Sequence, residues 1–390
     1  MLGWRFVPLV AALVLLSCES WAKPYVPESD GVVLEHLPEK NDPALAQLKR
    51  MRATLMMNPR DLNLAASVVR RALEAGRRLG DPRFFGQAQA ALAPWWGAED
   101  VPPTALLLRA TLKQSQHDFE GSLADLDRLL AAHPALAQAR LTRATVLSVR
   151  GRYADARHDC EQLKGLVAPI VVMGCDATPA SLTGNAASAY GALVQVLAQG
   201  AGSLDLREWA LTLAAEIAAR RGDFDAAERH FRDALALDPH DAYLQGAYAD
   251  FLLDRGRPRE LLPLLRDATK NDVLLLRLAL AEQQLPELRE SFAAHREDLS
   301  ARFDAARRRG DSVHRREEAR FRLTVEHDAK AALILARENW LVQREPSDLR
   351  ILIEAARAAG DADALKNASD WVAAMHLEDA AIVTLLQVRQ

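Results

Sequence analysis

The stretch EWALTLAAEIAARRGDFDAAERHFRDALALDPHD, from Glu208 to Asp241, decides the fold. Its apolar residues recur at helical spacing before and after Gly222, which indicates two helices joined by a tight turn with a positive φ at that glycine. The small residues Ala214 and Ala215 allow the two helices to approach closely, and Asp238-Pro239 closes the unit. The stretch therefore predicts a helix-turn-helix unit of 34 residues.

The same 34-residue spacing returns in other parts of the chain. Gly222 is followed at this interval by Gly256, and Phe119 by Tyr153. Helical units of this length bury their apolar faces only by stacking on their neighbours. The chain has 390 residues, few aromatics (6%) and almost no alternating β-branched runs. These observations predict an all-α fold, a right-handed α-solenoid of stacked helix-turn-helix repeats.

The unit resembles the tetratricopeptide repeat. That repeat has a small residue at its eighth position, an aromatic at the seventeenth, alanines at the twentieth and twenty-seventh, and a proline at the thirty-second. The tryptophan of its fourth position is missing here. The resemblance implies a scaffold that binds other proteins. Counted from Glu208, the five matching positions are Ala215, Phe224, Ala227, Ala234 and Pro239.

The repeat pattern also divides the chain into units. Its register breaks between Val171 and Arg207 and drifts between Leu276 and Ser312, and Pro263 interrupts an expected second helix. We therefore expect regular repeats separated by irregular units, with a polar, proline-containing arm before them. The predicted units are a signal peptide at 1–22, an extended arm at 23–42, a helical pair at 43–100, two repeats at 103–170, an irregular unit at 171–207, two repeats at 208–275, a degenerate unit at 276–312, and a C-terminal repeat with capping helices at 313–390.

The N-terminus has the pattern of an export signal. Arg5 precedes an apolar run from Phe6 to Leu16, and Ser20-Trp21-Ala22 supplies small residues at a cleavage site. The run has 11 residues, whereas a membrane span needs about 20. We expect cleavage after Ala22 and a periplasmic or secreted protein. Leu15-Leu16-Ser17-Cys18 also resembles a lipobox, so the alternative is a lipoprotein anchored to the membrane through Cys18.

Two cysteines, Cys160 and Cys175, remain beyond this signal. An oxidising compartment favours their pairing, so we predict a disulfide. A metal site with His158 is the alternative, but it has no fourth ligand at a recognisable spacing. Two buried free thiols are a further alternative.

A charge pair recurs inside two of the repeats. Arg109 and Asp125 lie at the seventh and twenty-third positions of one unit, and Arg143 and Asp159 occupy the same positions of the next. One reading is a clamp for an acidic partner. The equal spacing favours a salt bridge within each repeat, at the surface and worth about 0–1 kcal/mol.

The charge balance limits the partners. The chain carries a net charge of −4, which does not indicate a general affinity for nucleic acid. The exception is Arg296 to Arg322, with nine arginines and six acidic residues. We interpret this segment as a solvated, salt-bridged helical pair around Gly310-Asp311. The alternative is a patch for an acidic partner or for lipid headgroups.

Catalytic motifs are absent from the sequence. It contains no His-Glu-x-x-His pair, no Gly-x-Ser-x-Gly elbow and no phosphate loop followed by Lys-Ser or Lys-Thr. We therefore predict no catalytic residue, no cofactor, no metal and no enzymatic activity. An enzyme on a helical-repeat scaffold stays open as a third class of function.

If the solenoid binds a partner, the first helices of successive repeats line its concave face. Trp209 and Tyr243 lie 34 residues apart on this face, either as aromatic anchors or as ordinary packing between repeats. The neutral to mildly acidic surface favours an apolar or basic protein segment. We expect an exported, non-catalytic adaptor of the bacterial cell envelope, or alternatively a lipid-anchored subunit of an envelope secretion, pilus or polysaccharide-export assembly. The candidate groove residues are Leu107, Thr111, Leu141, Thr145, Trp209, Glu216, Tyr243 and Asp250.

Overall fold

The computed structural model of the chain describes residues 42–200, 202–310 and 313–387, and the predicted signal peptide, Cys18 and nearly all of the arm lie outside them. The described residues form α-helices and one short 3-10 turn, Pro286–Leu288, with no strand among them. The helices are α1 Pro43–Met57, α2 Leu62–Leu79, α3 Arg83–Ala91, α4 Ala93–Trp96, α5 Pro103–Ser115, α6 Phe119–Ala132, α7 Ala137–Val149, α8 Tyr153–Glu161, α9 Pro169–Ser181, α10 Ala186–Ala198, α11 Leu204–Arg220, α12 Phe224–Leu237, α13 Ala242–Asp254, α14 Pro258–Leu265, α15 Asp272–Gln283, α16 Arg289–Arg308, α17 Arg315–Thr324, α18 Ala329–Val342, α19 Pro346–Ala359, α20 Ala362–Met375 and α21 Ala380–Gln387.

Helical hairpins are the unit of the fold. Each pair from α2 and α3 through α19 and α20 packs antiparallel, and the first helix of each pair contacts the first helix of the next pair. These first helices form one continuous layer, here called the inner layer. The prediction of an all-α repeat fold is confirmed for the described residues. The inner layer consists of α2, α5, α7, α9, α11, α13, α15, α17 and α19.

The hairpin of α11 and α12 shows why the sequence folds in this way. Gly222 takes a φ of 79° at the turn, and the Asp223 carboxylate then accepts a hydrogen bond from the Ala226 backbone N–H to cap α12. Ala215 and Phe231 are buried at the helix seam, where their packing excludes water. Of the five tetratricopeptide-like positions, Ala215, Ala227 and Ala234 are therefore buried in the core between the two helices, whereas Phe224 and Pro239 are exposed.

The irregular places of the sequence still form helices. The segment 171–207 holds most of α9, all of α10 and the start of α11, and α14 is a short second helix that contains Pro263. Both α9 and α10 pack as an ordinary hairpin. A long second helix, α16, lies within the segment 276–312. The drift of the repeat pattern therefore changes helix length more than it changes helix pairing.

The disulfide predicted between Cys160 and Cys175 is present in the structure. It joins α8 to α9, and the two Cα atoms lie 5.5 Å apart. Both cysteines are buried among apolar side chains of the same core cluster. The bridge therefore ties the third hairpin to the fourth at their shared core.

The last hairpins return to the middle of the stack. The Arg344 backbone N–H donates to the Val149 carbonyl at 2.8 Å, and the Tyr153 hydroxyl donates to the Arg344 carbonyl at 2.9 Å. Tyr153 and Leu182 also share a buried apolar cluster with Leu349 and other residues of α19 to α21. Helices α13 and α2, both of the inner layer, are in contact as well. The inner layer therefore contacts itself across the stack.

Candidate binding groove

The predicted salt bridges within the repeats are present, but one part of the prediction is wrong. Arg109 donates to both oxygens of Asp125, from Nη2 at 2.6 Å and from Nε at 2.8 Å, and Arg143 holds Asp159 in the same way. These are not surface pairs, because Asp125 and Asp159 are buried. Arg109 is also buried, and its Nη1 donates to the Trp96 carbonyl at the end of α4. They are structural contacts inside the stack rather than a clamp open to a partner.

Trp209 packs between hairpins. Its ring lies over Gly174 of α9, so close that a Cβ added at that glycine would meet the indole at 2.4 Å. The side chain is only partly exposed. The structure thus places Trp209 in packing between α11 and α9, which was one of its two predicted roles.

Tyr243 points away from the packed seam. Its side chain is 63% exposed, and its hydroxyl donates to Glu216 Oε1 at 2.7 Å. The two aromatic residues of the predicted anchor pair thus have different surroundings. Only Tyr243 leaves a ring face open to solvent.

The acidic end of the predicted groove is occupied by arginines of the same chain. Asp250 on α13 accepts from Arg277 Nη2 and from Arg320 Nη1, each at 2.6 Å. One turn further, Asp254 accepts from both terminal nitrogens of Arg350, at 2.6 and 2.8 Å. Arg320 and Arg350 lie on α17 and α19, so the C-terminal hairpins supply the cations that face these acids.

Burial and charge shift the pKa values of this end. Burial alone would raise the pKa of Asp250, but the guanidiniums of Arg277 and Arg320 outweigh it and hold the pKa well below its usual range. Burial raises the pKa of Glu216, and the charge of Arg220 only partly opposes the shift. Burial also raises the pKa of Glu345 to about 7, with the adjacent Asp348 carboxylate adding to the shift.

The other end of the predicted groove is open. A concavity of about 410 Å³ lies between α2, α3, α5 and α7, and three of its lining residues, Thr111, Leu141 and Thr145, were predicted from repeat position. This volume is in the range of pockets that hold small ligands or short peptide segments. We call this surface the open groove. Its lining residues are Arg77, Phe85, Thr111, Gln114, Ser115, Gln138, Leu141, Thr142 and Thr145.

The open groove is polar and nearly uncharged. The hydroxyls of Thr111, Thr142 and Thr145 each donate to the carbonyl four residues earlier at 2.9 Å, so their lone pairs stay available as acceptors. The side-chain amides of Gln114 and Gln138 make no hydrogen bond within the described part of the chain. The groove therefore offers both donors and acceptors to a polar ligand.

The predicted residues do not form one site. Leu107 lies beside the open groove, where its carbonyl accepts from Thr111 and its side chain packs on the N-terminal core cluster. Trp209 belongs to the packing of α9 and α11, and Glu216, Tyr243 and Asp250 face the C-terminal hairpins. Arg77 and Phe85 are lining residues that the sequence analysis missed, because they belong to a hairpin that has no clear repeat register.

Comparison with known proteins supplies the family. Residues 180–307, which run from α9 into α16, match the sequence profile described as tetratricopeptide repeat. This part of the chain carries tetratricopeptide repeats. Proteins of this type commonly serve as scaffolds for protein–protein interaction. No curated protein matches the sequence.

Several solved structures are similar to this chain at low identity. One is a tetratricopeptide repeat protein from Parabacteroides merdae, with 14% identity, 74% of this chain and 98% of that chain covered, and a TM-score of 0.39. Another is the human IFIT1 dimer with m7Gppp-AAAA, with 13% identity, 86% and 77% covered, and a TM-score of 0.42. A third is yeast Tom70, with 14% identity, 81% and 59% covered, and a TM-score of 0.32. These similarities are too distant to carry a conclusion about ligands or partners.

The arginine-rich segment, Arg296 to Arg322, is partly exposed and partly internal to the fold. Arg302 and Arg307 pair with nearby acids on partly solvated faces, as the sequence predicts for a salt-bridged helical pair. Arg316 and Arg320 instead reach inward, where Arg316 Nη1 donates to Ser347 Oγ at 2.7 Å and lies 3.5 Å from an Asp348 oxygen. Part of the segment is thus internal to the fold.

The described ranges, 42–200, 202–310 and 313–387, contain no group of three or more His, Cys, Asp or Glu side chains placed to hold a metal ion. No helix in these ranges is long and apolar enough to cross a membrane.

Proposed function

We propose that this protein is an exported, non-catalytic scaffold of the bacterial cell envelope that binds a segment of another protein in the open groove. The observation that carries the proposal is the contrast between the two ends of the inner layer. The acidic end is engaged by Arg320 and Arg350 of the same chain, whereas the open groove has unpaired amides and a free volume of about 410 Å³. A partner can therefore enter the open groove without displacing the ion pairs of Asp250 and Asp254.

Export is supported by two observations. The sequence from Arg5 to Ala22 has the charge, apolar run and small residues of a signal peptide. The disulfide between Cys160 and Cys175 fits an oxidising compartment, since disulfides are rare in reducing ones. Intact-mass analysis of protein from fractionated cells tests export, and we expect a mature chain that begins at Lys23. An unprocessed chain recovered from the cytoplasm would refute it.

A second candidate function rests on the lipobox-like Leu15–Cys18. In that case the protein is a lipid-anchored accessory subunit of an envelope secretion, pilus or polysaccharide-export assembly. The same mass measurement separates the two, because lipidation leaves Cys18 as a diacylated or triacylated N-terminal residue. Metabolic labelling with a fatty-acid analogue, lost in Cys18→Ala, would favour this candidate.

The groove is tested by blocking it. Thr145 is exposed on α7 within the open groove, so Thr145→Arg fills the cleft without removing a core side chain. Ala124 is exposed on α6, a second helix outside the inner layer, and Ala124→Arg is the matched control. Both variants and the wild type are crosslinked in envelope extracts and their captured proteins are compared.

We expect one captured protein to be lost with Thr145→Arg and retained with Ala124→Arg. Retention in both variants would place binding elsewhere on the protein. Loss in both would point to general destabilisation, and circular dichroism of the purified variants checks this directly.

A further inference from the structure

Charge on the open groove is concentrated in one residue. Arg77 is the single charged residue among the lining side chains, and no carboxylate of the described ranges lies in ion-pair contact with it. Within the described ranges its guanidinium makes one hydrogen bond, a long one of 3.4 Å from Nη2 to Ser115 Oγ. Partial desolvation lowers the pKa of Arg77, and no acid offsets this effect. The guanidinium is still fully charged at neutral pH and lacks a counter-ion.

This isolation differs from the other arginines that reach the inner layer. Arg277 and Arg320 share Asp250, and Arg350 holds Asp254. These three arginines are thus paired with acids, whereas Arg77 has no ion pair within the described ranges and lies beside an open cleft. A ligand that carries a negative charge is the complement of such a site.

The neutral lining residues indicate how the rest of the ligand is held. The free amides of Gln114 and Gln138 and the acceptor hydroxyls of Thr111 and Thr145 suit a backbone whose own N–H and C=O groups are unpaired. A helix uses those groups for its own hydrogen bonds. The polar lining of the groove therefore favours an extended segment.

We propose that the open groove takes an extended, otherwise uncharged peptide segment of the partner, and that an Asp or Glu side chain of this segment pairs with Arg77. The inference rests on the proposed function and specifies its partner. The sequence analysis expected a basic or apolar segment, and this inference replaces it with an acidic one. The reason is that Asp250 and Asp254 are neutralised by arginines of the same chain. Phe85 and Leu141 supply the apolar contacts beside the charge.

A random peptide library tests the proposal with the full mature protein. Both peptide ends are tethered, so that Asp and Glu side chains are the only carboxylates present. Wild-type protein is expected to select peptides enriched in Asp or Glu, and Arg77→Glu to select peptides enriched in Lys or Arg. The affinity of a selected acidic peptide is expected to fall roughly tenfold in Arg77→Glu at low salt, and less at high salt.

Two controls separate the possible failures. Arg60 is exposed outside the groove, so Arg60→Glu makes the same charge change and should leave selection and affinity unchanged. The acidic-segment inference is overturned, and the proposed function kept, if Thr145→Arg abolishes peptide binding but the selected peptides show no acidic preference. The same holds if Arg77→Glu selects the same acidic peptides as the wild type. The absence of any groove-dependent peptide would overturn both.

Discussion

Two carboxylates that hold the same arginine provide a direct test of how burial sets the strength of an ion pair. Arg143 donates from Nη1 to Asp127 at 2.7 Å and from Nε to Asp159 at 2.7 Å. The Asp127 side chain is 64% exposed, whereas that of Asp159 is 1% exposed and also accepts from Arg140 at 3.1 Å. The two carboxylates thus share a partner and a bond length, whereas Asp159 has less solvent access and accepts two further bonds, from Arg143 Nη2 and Arg140 Nη1. The hydrogen bond to Asp159 is the main reason that the pKa of Arg143 is raised above its ordinary value, and the bond to Asp127 adds to the shift.

We predict unequal losses from the two isosteric changes. Asp159→Asn leaves Arg140 and Arg143 facing a neutral amide in a buried site, and breaking a buried pair costs about 3–5 kcal/mol. We expect the lower end, about 3 kcal/mol, because both arginine side chains keep some solvent access. Asp127→Asn removes an exposed partner and should cost less than about 1 kcal/mol. Each change removes one negative charge, so net charge is controlled.

Urea unfolding followed by circular dichroism measures the difference. With a slope of about 3 kcal/mol per M, Asp159→Asn should lower the midpoint by on the order of 1 M. Any effect of Asp127→Asn should shrink in high salt, since exposed charges are screened, while that of Asp159→Asn should persist. Equal midpoints for the two variants, at low and high salt, would refute the argument that burial decides the contribution.

Three further predictions concern the disulfide, a buried acid and a close contact. Reducing the bond between Cys160 and Cys175, which lie 15 residues apart, should lower the free energy of unfolding by about 3 kcal/mol. The measurement compares unfolding with and without dithiothreitol. The control is the double Cys→Ala variant, whose stability the reductant should leave unchanged. Burial raises the pKa of Glu208 to about 7, so this residue favours folding below its unfolded pKa and loses that contribution as the pH rises towards 7. Glu208→Gln should therefore stabilise the protein at pH 8 by less than about 3 kcal/mol and leave its stability unchanged at pH 4. Urea titrations at both pH values would check this. Gly174→Ala should destabilise by about 1–3 kcal/mol through its clash with the Trp209 ring, and a double-mutant cycle with Trp209→Ala should show that most of this loss needs the indole.

The repeat pattern predicted the local fold because its signals are local. Gly222 at the turn, the alanines of the seam and the 34-residue interval all act within one hairpin or between neighbours, and the structure places α11, α12 and α13 where they indicate. The pairing of Arg109 with Asp125 was predicted for the same reason. The burial of this pair was not predicted, because the residues that cover it lie outside its own hairpin. One of them is Trp96 at the end of α4, whose carbonyl accepts from Arg109.

The return of the C-terminal hairpins could not be read from the periodicity. Arg350 meets Asp254 across 96 positions, and Arg344 meets Val149 across almost 200. A pattern that repeats every 34 residues specifies how neighbours stack and leaves open how far the stack curves. Small rotations between hairpins add up along the chain, and their sum decides which distant helices touch.

That curvature also decides which part of the inner layer can bind. If the stack were open, Asp250 and Asp254 would make the C-terminal end of the groove an acidic surface for a basic partner. The return of α17 and α19 places Arg320 and Arg350 on these acids, and a basic ligand would have to replace hydrogen-bonded pairs that are already in place. Such replacement gains little, since one charge-assisted bond is exchanged for another. Within the described ranges no acid of the chain pairs with Arg77 in the open groove, so under the proposed function the charge of Arg77 sets the sign of the partner.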